Sequence, residues 1–272
     1  MLRDITLGQY YQTDSPVHKL DPRVKLVGTL VFIISLFLGK SVWLYVVITA
    51  CLAAVIKVSK VPFKFIIKGL KPVLVLIVLS AVFNLFLTDG EPLVHIWKLT
   101  ITREGLYLAV FMVVRLMYLI MGTSLMTLTT TPNNLTDGLE KGMSFLRVFK
   151  VPVHEIAMMM SIALRFIPIL VEETDKFMKA QTARGAEFNK GNIINRAKSM
   201  IPVLIPLFIS AFRRANDLAM AMEARCYHGS AGRTKMKPLK YKKNDFVAYL
   251  IMVIYLGGLI ALKIILGGRM VL

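Results

Sequence analysis

Arg184 and Arg225 are the side chains of this 272-residue chain best placed to do chemistry on a partner. Each stands between small residues, in Ala183-Arg184-Gly185 and Ala224-Arg225-Cys226. An arginine is planar, permanently charged and able to give two parallel hydrogen bonds to a carboxylate, or to bond carbonyls at another helix's end. Small neighbours leave it unhindered, so it fits a partner's groove. One such tripeptide alone is what a solvated helix end also looks like. The pair carries more, because Ala180 and Ala221 match at the same offset of 41 residues. The pattern predicts two equivalent docking arginines rather than a reaction centre.

Other constellations point away from catalysis. A phosphate-binding loop needs GxxxxGK[ST], and Gly39-Lys40-Ser41 lacks the first glycine because position 34 is Ile. His154-Glu155 is followed by Met158 where a zinc protease needs histidine. His18, His95, His154 and His228 are scattered, and each reads as a loop or interface residue. Glu172, Glu173 and Asp175 form the dense acidic cluster. On a helix, 172 and 175 share a face and 173 does not, which predicts a solvated helix face rather than a metal site. The chain is expected to be a non-catalytic subunit that binds no cofactor of its own.

The elements that must carry the arginines lie in a membrane protein. Hydrophobic residues make up 56% of the chain and charged ones 18%, against about a quarter charged in soluble domains. The mean hydropathy is +0.63. The net charge is +18, from 34 Lys+Arg against 16 Asp+Glu. In such a chain the excess first sets orientation and then attracts anionic headgroups or acidic partners. No zinc-finger spacing or RNA-binding motif accompanies it, so no nucleic-acid partner is expected. Cys51 and Cys226 fall in different surroundings with no CxxC, which predicts no disulfide. The polar first two dozen residues do not read as a signal peptide. Asn134-Leu135-Thr136 fits a glycosylation sequon on the inner side, where chance explains it better.

Apolar runs predict about five transmembrane helices: Val24 to Leu38, Val42 to Ile56, a helix from near Pro62 through Leu87, Glu104 to Leu128, and Asp245 to Leu266. The first two arms hold about 15 residues, roughly 22 Å of helix, short but able to span a thinned bilayer. The stretch 88–102 reads as an outer loop. Four parts result: a cytoplasmic N-terminal segment 1–23, a four-helix region 24–130, a coupling-helix region 131–243 and a C-terminal span 244–272. With the N-terminus inside, segments 1–25, 57–71 and 131–243 hold 28 of the 34 Lys+Arg. Lys40, Lys98, Arg103 and Arg269 are the outer charges. That asymmetry follows the positive-inside rule.

Within 131–243, Val151–Val171 and Met200–Phe212 are apolar enough to cross. Crossing would put Lys176, Lys179, Arg184, Lys190, Arg196 and Lys198 outside, against the charge rule. Two long amphipathic helices along the cytoplasmic interface are expected instead. Met158, Met159 and Met160, with Met178, Met200, Met220 and Met222, suit a surface that accepts more than one shape, and equally suit ordinary core or lipid contact. The spans hold few polar groups: Asn84, Arg115 and Lys263. Buried carboxylates for an ion-coupled carrier are missing from them. Asp21-Pro22-Arg23 reads as a turn, with Asp21 as helix cap and Pro22 at the first helical position, and Arg23 and Lys25 as inner-face charges.

The paired Ala-Arg-small motifs and the segment Ser15-Pro16-Val17-His18-Lys19-Leu20-Asp21-Pro22-Arg23-Val24-Lys25-Leu26 resemble the transmembrane coupling component (EcfT) of energy-coupling factor transporters. The order of segments is similar over essentially the whole chain. The resemblance implies an all-α integral membrane protein of the cell membrane, with its N-terminus and coupling helices cytoplasmic. It implies two ABC-type ATPase subunits as partners, which bind ATP and Mg, and an integral-membrane S component that captures a vitamin or metal ion. Ala183, Arg184, Gly185, Ala224, Arg225 and Cys226 would then form the ATPase-coupling sites, with Cys226 as a departure from glycine or alanine. A stand-alone secondary transporter and a membrane enzyme acting on a phosphorylated lipid are the alternatives.

Overall fold

A computed structural model describes residues 10–39, 41–88, 90–96, 99–186, 188, 192–229, 236 and 238–267. Contacts divide the chain into two units. Of the described residues, those within 8–138 and 239–272 form one, and those within 139–238 form the other.

In the first unit, α1 spans Pro22–Leu36. Asp21 caps it by accepting from the Arg23 backbone N–H, and Pro22 occupies the first turn, as the sequence predicts. After the break at 37–41 comes α2, Val42–Ser59. The helix expected from Pro62 to Leu87 is interrupted. It forms α3 (Phe63–Lys68), a 3-10 turn (Lys71–Val73) and α4 (Leu74–Leu87). Pro72 has no N–H for the Lys68 carbonyl, which ends α3. Gly69 adds a close approach, since a Cβ there would lie 2.7 Å from Ser124 Oγ.

The stretch expected as an outer loop contains a two-stranded antiparallel hairpin, β1 (Pro92–Ile96) with β2 (Leu99–Thr102). His95 faces Thr100 across it, and a register shift falls between Pro92 and Val94. α5 then runs Arg103–Thr129, capped by the Thr102 hydroxyl, and α9 runs Lys243–Gly267. Lys40, Lys98 and Arg269, assigned above to the outer side, lie outside the described residues.

Two apolar clusters hold this unit together. One joins Leu52, Val61, Ile66 and Leu70 to Met121, Leu125 and Leu128 of α5. The other joins Leu36, Leu44 and Ile48 to Leu259 of α9. Outward faces stay apolar, with Val75 of α4 75% exposed and Val253 of α9 70% exposed. A soluble protein rarely presents such continuous apolar faces, whereas lipid covers them at no cost.

The second unit holds α7, Val153–Ala183, and α8, Ile193–Glu223, 31 residues each. The sequence boundary between the units falls within α6, Pro132–Gly142, which is followed by a 3-10 segment at Met143–Phe149. Thr136 of the sequon is buried and bonds the Pro132 carbonyl.

Among the described residues five helices are long and apolar enough to cross a membrane: Val42–Ser59, Phe63–Leu87 (α3 and α4 together), Arg103–Thr129, Val153–Ala183 and Lys243–Ile265. The number matches expectation, but the set differs. α1, at 15 residues, is below the length of this set. α7, expected from the sequence to lie along the interface, is in the set by length and composition, because its apolar stretch is itself long enough.

Candidate functional site

Both arginine motifs fold as helix ends of one design. Arg184 is the C-cap of α7, and Gly185 follows with φ +90°. The Gly185 N–H bonds the Thr182 carbonyl at 2.9 Å, and the Ala186 N–H bonds the Gln181 carbonyl at 3.0 Å. At the end of α8 the Cys226 N–H bonds the Glu223 carbonyl at 2.8 Å, and the Tyr227 N–H bonds the Met222 carbonyl at 3.0 Å. Each bond recurs 41 residues on. This is the Schellman pattern, in which a residue of positive φ turns the chain back and satisfies the last carbonyls. Gly185 does so without strain. Cys226 adopts φ +54° with a Cβ in place.

The caps display the arginines. Arg184 and Arg225 are exposed, as are Ala183, Gly185, Ala224 and Cys226. Each guanidinium sits at the negative end of its helix, where the dipole favours a cation. The surroundings then diverge. Arg225 borders a cavity of about 570 Å³ formed by α7 and the end of α8, whose lining includes Met158, Arg165, Phe166 and Met222. Arg184 is not among its lining residues. Of the methionines singled out, Met158 and Met222 line the cavity, while Met159 and Met220 are 59% and 60% exposed.

α7 and α8 lie antiparallel. Glu173 accepts from Ser210 Oγ at 2.9 Å, and the Gln181 side-chain amide donates to the Pro202 carbonyl at 3.4 Å. Advancing eight residues along α7 retreats eight along α8. The second bond has a local cause. Pro206 has no N–H to give the carbonyl four residues before it, so Pro202 O is left free for Gln181. Glu173 also forms an ion pair with Arg214. The acidic cluster is therefore split: Glu172 is exposed as expected, while Glu173 is drawn between the helices. Spacing along one helix could not show that, because the partner lies on another.

A second polar cluster lies in the other unit, around the Ser15–Leu26 segment. Lys25, read from sequence as an inner-face charge, is 9% exposed. Its Nζ donates to the carbonyls of His18 at 3.1 Å and Thr129 at 2.8 Å. Asp245, 1% exposed, accepts from the backbone N–H of Asp21 at 2.8 Å and of Lys242 at 2.6 Å. Arg23 donates to the Leu239 carbonyl at 3.2 Å, and its guanidinium lies 4.8 Å from the Tyr241 ring centroid. His18 bonds Ser15 Oγ through Nδ1 at 2.7 Å and the Tyr11 carbonyl through Nε2 at 3.0 Å. A carbonyl only accepts, so Nε2 carries the proton and Nδ1 accepts from Ser15. Burial lowers the His18 pKa from its ordinary 6.5, and the nearby Lys25 charge lowers it further. These residues tie the start of α1 to the chain just before α9. Sequence reasoning saw the local cap at Asp21 and missed Asp245, whose partner is 224 residues away.

Arg115 of α5 is paired inside its unit. Its Nε donates to the Tyr45 hydroxyl at 3.0 Å, and its guanidinium lies 5.2 Å from the Phe37 ring centroid. Among the described residues no group of three or more His, Cys, Asp or Glu side chains is placed to hold a metal ion.

Comparison with known proteins gives one consistent result. The family described as CbiQ, cobalt transport protein, matches residues 13–236. An energy-coupling factor transporter transmembrane protein EcfT of Clostridium kluyveri is 55% identical over 252 residues, covering 92% of this chain and 93% of its own. The protein of that name in Ruminiclostridium cellulolyticum is 51% identical over 263 residues, 97% of this chain and 98% of its own. That of Bacillus subtilis is 44% identical over 246 residues, 90% of this chain and 93% of its own.

Proposed function

The chain belongs to the CbiQ cobalt transport protein family, with EcfT transmembrane proteins among its relatives, and from that premise we propose that it is the membrane scaffold of an energy-coupling factor importer. In this reading it hydrolyses nothing itself. Two ABC-type ATPase subunits, which bind ATP and Mg, dock on Arg184 and Arg225, and a separate membrane S component carries the vitamin or metal ion.

The observation that carries the reading is the repeated cap. Two exposed arginines stand at two helix ends of the same backbone hydrogen-bond pattern. Two copies of one partner surface would meet the same backbone geometry twice. Each arginine presents two-pronged donors to a carboxylate or to helix-end carbonyls, which point-charge lysines do not.

Orientation follows from charge. α7 and α8 lie along the cytoplasmic interface with the N-terminus on the same side. Lys176, Lys179 and Arg184 end α7, and translocating them would oppose the positive-inside rule. At 31 residues α7 is about 46 Å long, well beyond the roughly 30 Å hydrocarbon core. Closure and opening of the ATPase pair would move both anchored helix ends. The helices pass that motion to the S component, which reorients and releases its cargo inside.

Affinity purification from the native membrane in mild detergent tests this. The intact chain brings down two ATP-binding subunits and an integral membrane protein, and an Arg184→Ala/Arg225→Ala chain loses the ATP-binding subunits. Recovery of the intact chain alone, with transport or lipid-modifying activity of its own, overturns the reading in favour of a carrier or a membrane enzyme.

A further inference from the structure

Glu173 and Arg214 are separated by the same 41 residues that relate Arg184 to Arg225. In an antiparallel pair of matching helices, each residue and its equivalent lie on opposite sides of a local two-fold axis. Equivalent residues touch only at that axis. The repeat is carried by the two caps, by Ala180 with Ala221 and by Ala183 with Ala224. Glu173 and Arg214 are an equivalent pair that bonds, so their bridge lies within about half a helical turn of the axis. Arg184 lies eleven residues past Glu173, and Arg225 eleven past Arg214. Eleven residues make about three turns, so each arginine stands about 16 Å along its helix from the bridge, on nearly the same face as the bridging residue.

We infer that the Glu173–Arg214 bridge is the pivot of the α7–α8 pair, holding two equal lever arms that end at Arg184 and Arg225. The inference rests on the reading that these arginines engage two ATPases. A two-fold pair of ATPases moves its docking grooves by equal amounts, and the scaffold must follow without being dragged to one side. A crossing held only by apolar contacts can slide by a helical ridge. An ion pair with a second bond to the same carboxylate, from Ser210 Oγ, fixes one point of contact and still allows rotation about it. On the exposed faces beside it, positions 172 and 213 are Glu and Arg, and 176 and 217 are Lys and Asp, at the same offset.

The test uses the whole complex. Nitroxide labels go on Thr182→Cys and Glu223→Cys, an exposed pair related by the same offset, with Cys51→Ala and Cys226→Gly removing the native thiols. Distances are recorded by pulsed electron resonance with and without a non-hydrolysable ATP analogue plus magnesium, beside co-purification and ATPase rate. The analogue shifts the distance in the intact pair. Glu173→Gln keeps both ATPases bound but loses the shift, and the exchanged pair Glu173→Arg/Arg214→Glu restores it. An unaltered shift in Glu173→Gln overturns the pivot. Loss of the ATPases from both Glu173→Gln and the exchanged pair also overturns it, because the bridge would then build the docking site. If the intact scaffold holds no ATPases, or Arg184→Ala/Arg225→Ala keeps them, the failure lies with the docking reading instead.

Discussion

Gly185 and Cys226 occupy the same position of two matching helix caps, at φ +90° and +54°. The left-handed region costs a residue with a Cβ about 1 kcal/mol or more, and glycine almost nothing. The first motif therefore ends its helix without strain and the second carries strain at the residue beside its arginine.

Cys226→Gly is expected to stabilise the end of α8 by about 1 kcal/mol. Gly185→Ala is expected to destabilise α7 by a similar amount, since space is open around a Cβ and only the backbone opposes it. Thermal unfolding of the purified chain in detergent reads both. Equal midpoints for Cys226→Gly and the parent would show that the thiol relieves its own strain.

Substitution at the arginines separates charge from shape. Arg184→Lys and Arg225→Lys keep the charge and lose the planar fork. Each single lysine variant is expected to weaken ATPase capture by about 2 kcal/mol, roughly thirtyfold in affinity. Titration of immobilised scaffold with the ATP-binding subunits measures it. Undiminished capture by the lysine variants would reduce the site to general electrostatics.

Asp245 receives two backbone N–H groups in the interior of its unit. Asp245→Ala leaves the Asp21 and Lys242 amides without that acceptor, at about 1–3 kcal/mol for each buried donor. Asp245→Asn keeps an acceptor oxygen and should fall between. A limited-proteolysis time course of the segment ahead of α9 reports the loss directly, and cleavage at the parental rate would count against the tie.

His18 sets a pH dependence. Its folded pKa is lowered, so the folded state binds its proton less readily than the unfolded state. The contribution is present above the ordinary pKa of 6.5 and is lost as pH falls below it. Protonation would also place a hydrogen on Nδ1, which now accepts from Ser15. Unfolding midpoints should therefore drop between neutral and mildly acidic pH, and the drop should shrink in His18→Gln. Parallel curves for the two proteins would remove His18 as the cause.

Reading from residues alone reached the helix ends, the cap at Asp21, the first two short helices and the boundaries of α5 and α9 to within about two residues. These are local: a cap, a proline or an apolar period needs only its neighbours in sequence. The break at Lys68 was legible in principle, because Pro72 removes one intrahelical donor. The hairpin at 92–102 was not, since its strands are short and their pairing, rather than their composition, defines them.

The sequence by itself determined a membrane chain, the segregation of its basic residues into a few segments, and two arginines at a 41-residue offset. Those follow from composition and from spacing along one strand of covalent bonds. Only the tertiary structure decided that Glu173 leaves its acidic neighbours for Arg214, that Lys25 and Asp245 are interior groups, and that Gln181 fills the carbonyl freed by Pro206. Each of these groups has a partner more than twenty positions away. Charge and polarity state which partners such groups require, but which partner comes within bonding distance depends on how whole helices pack.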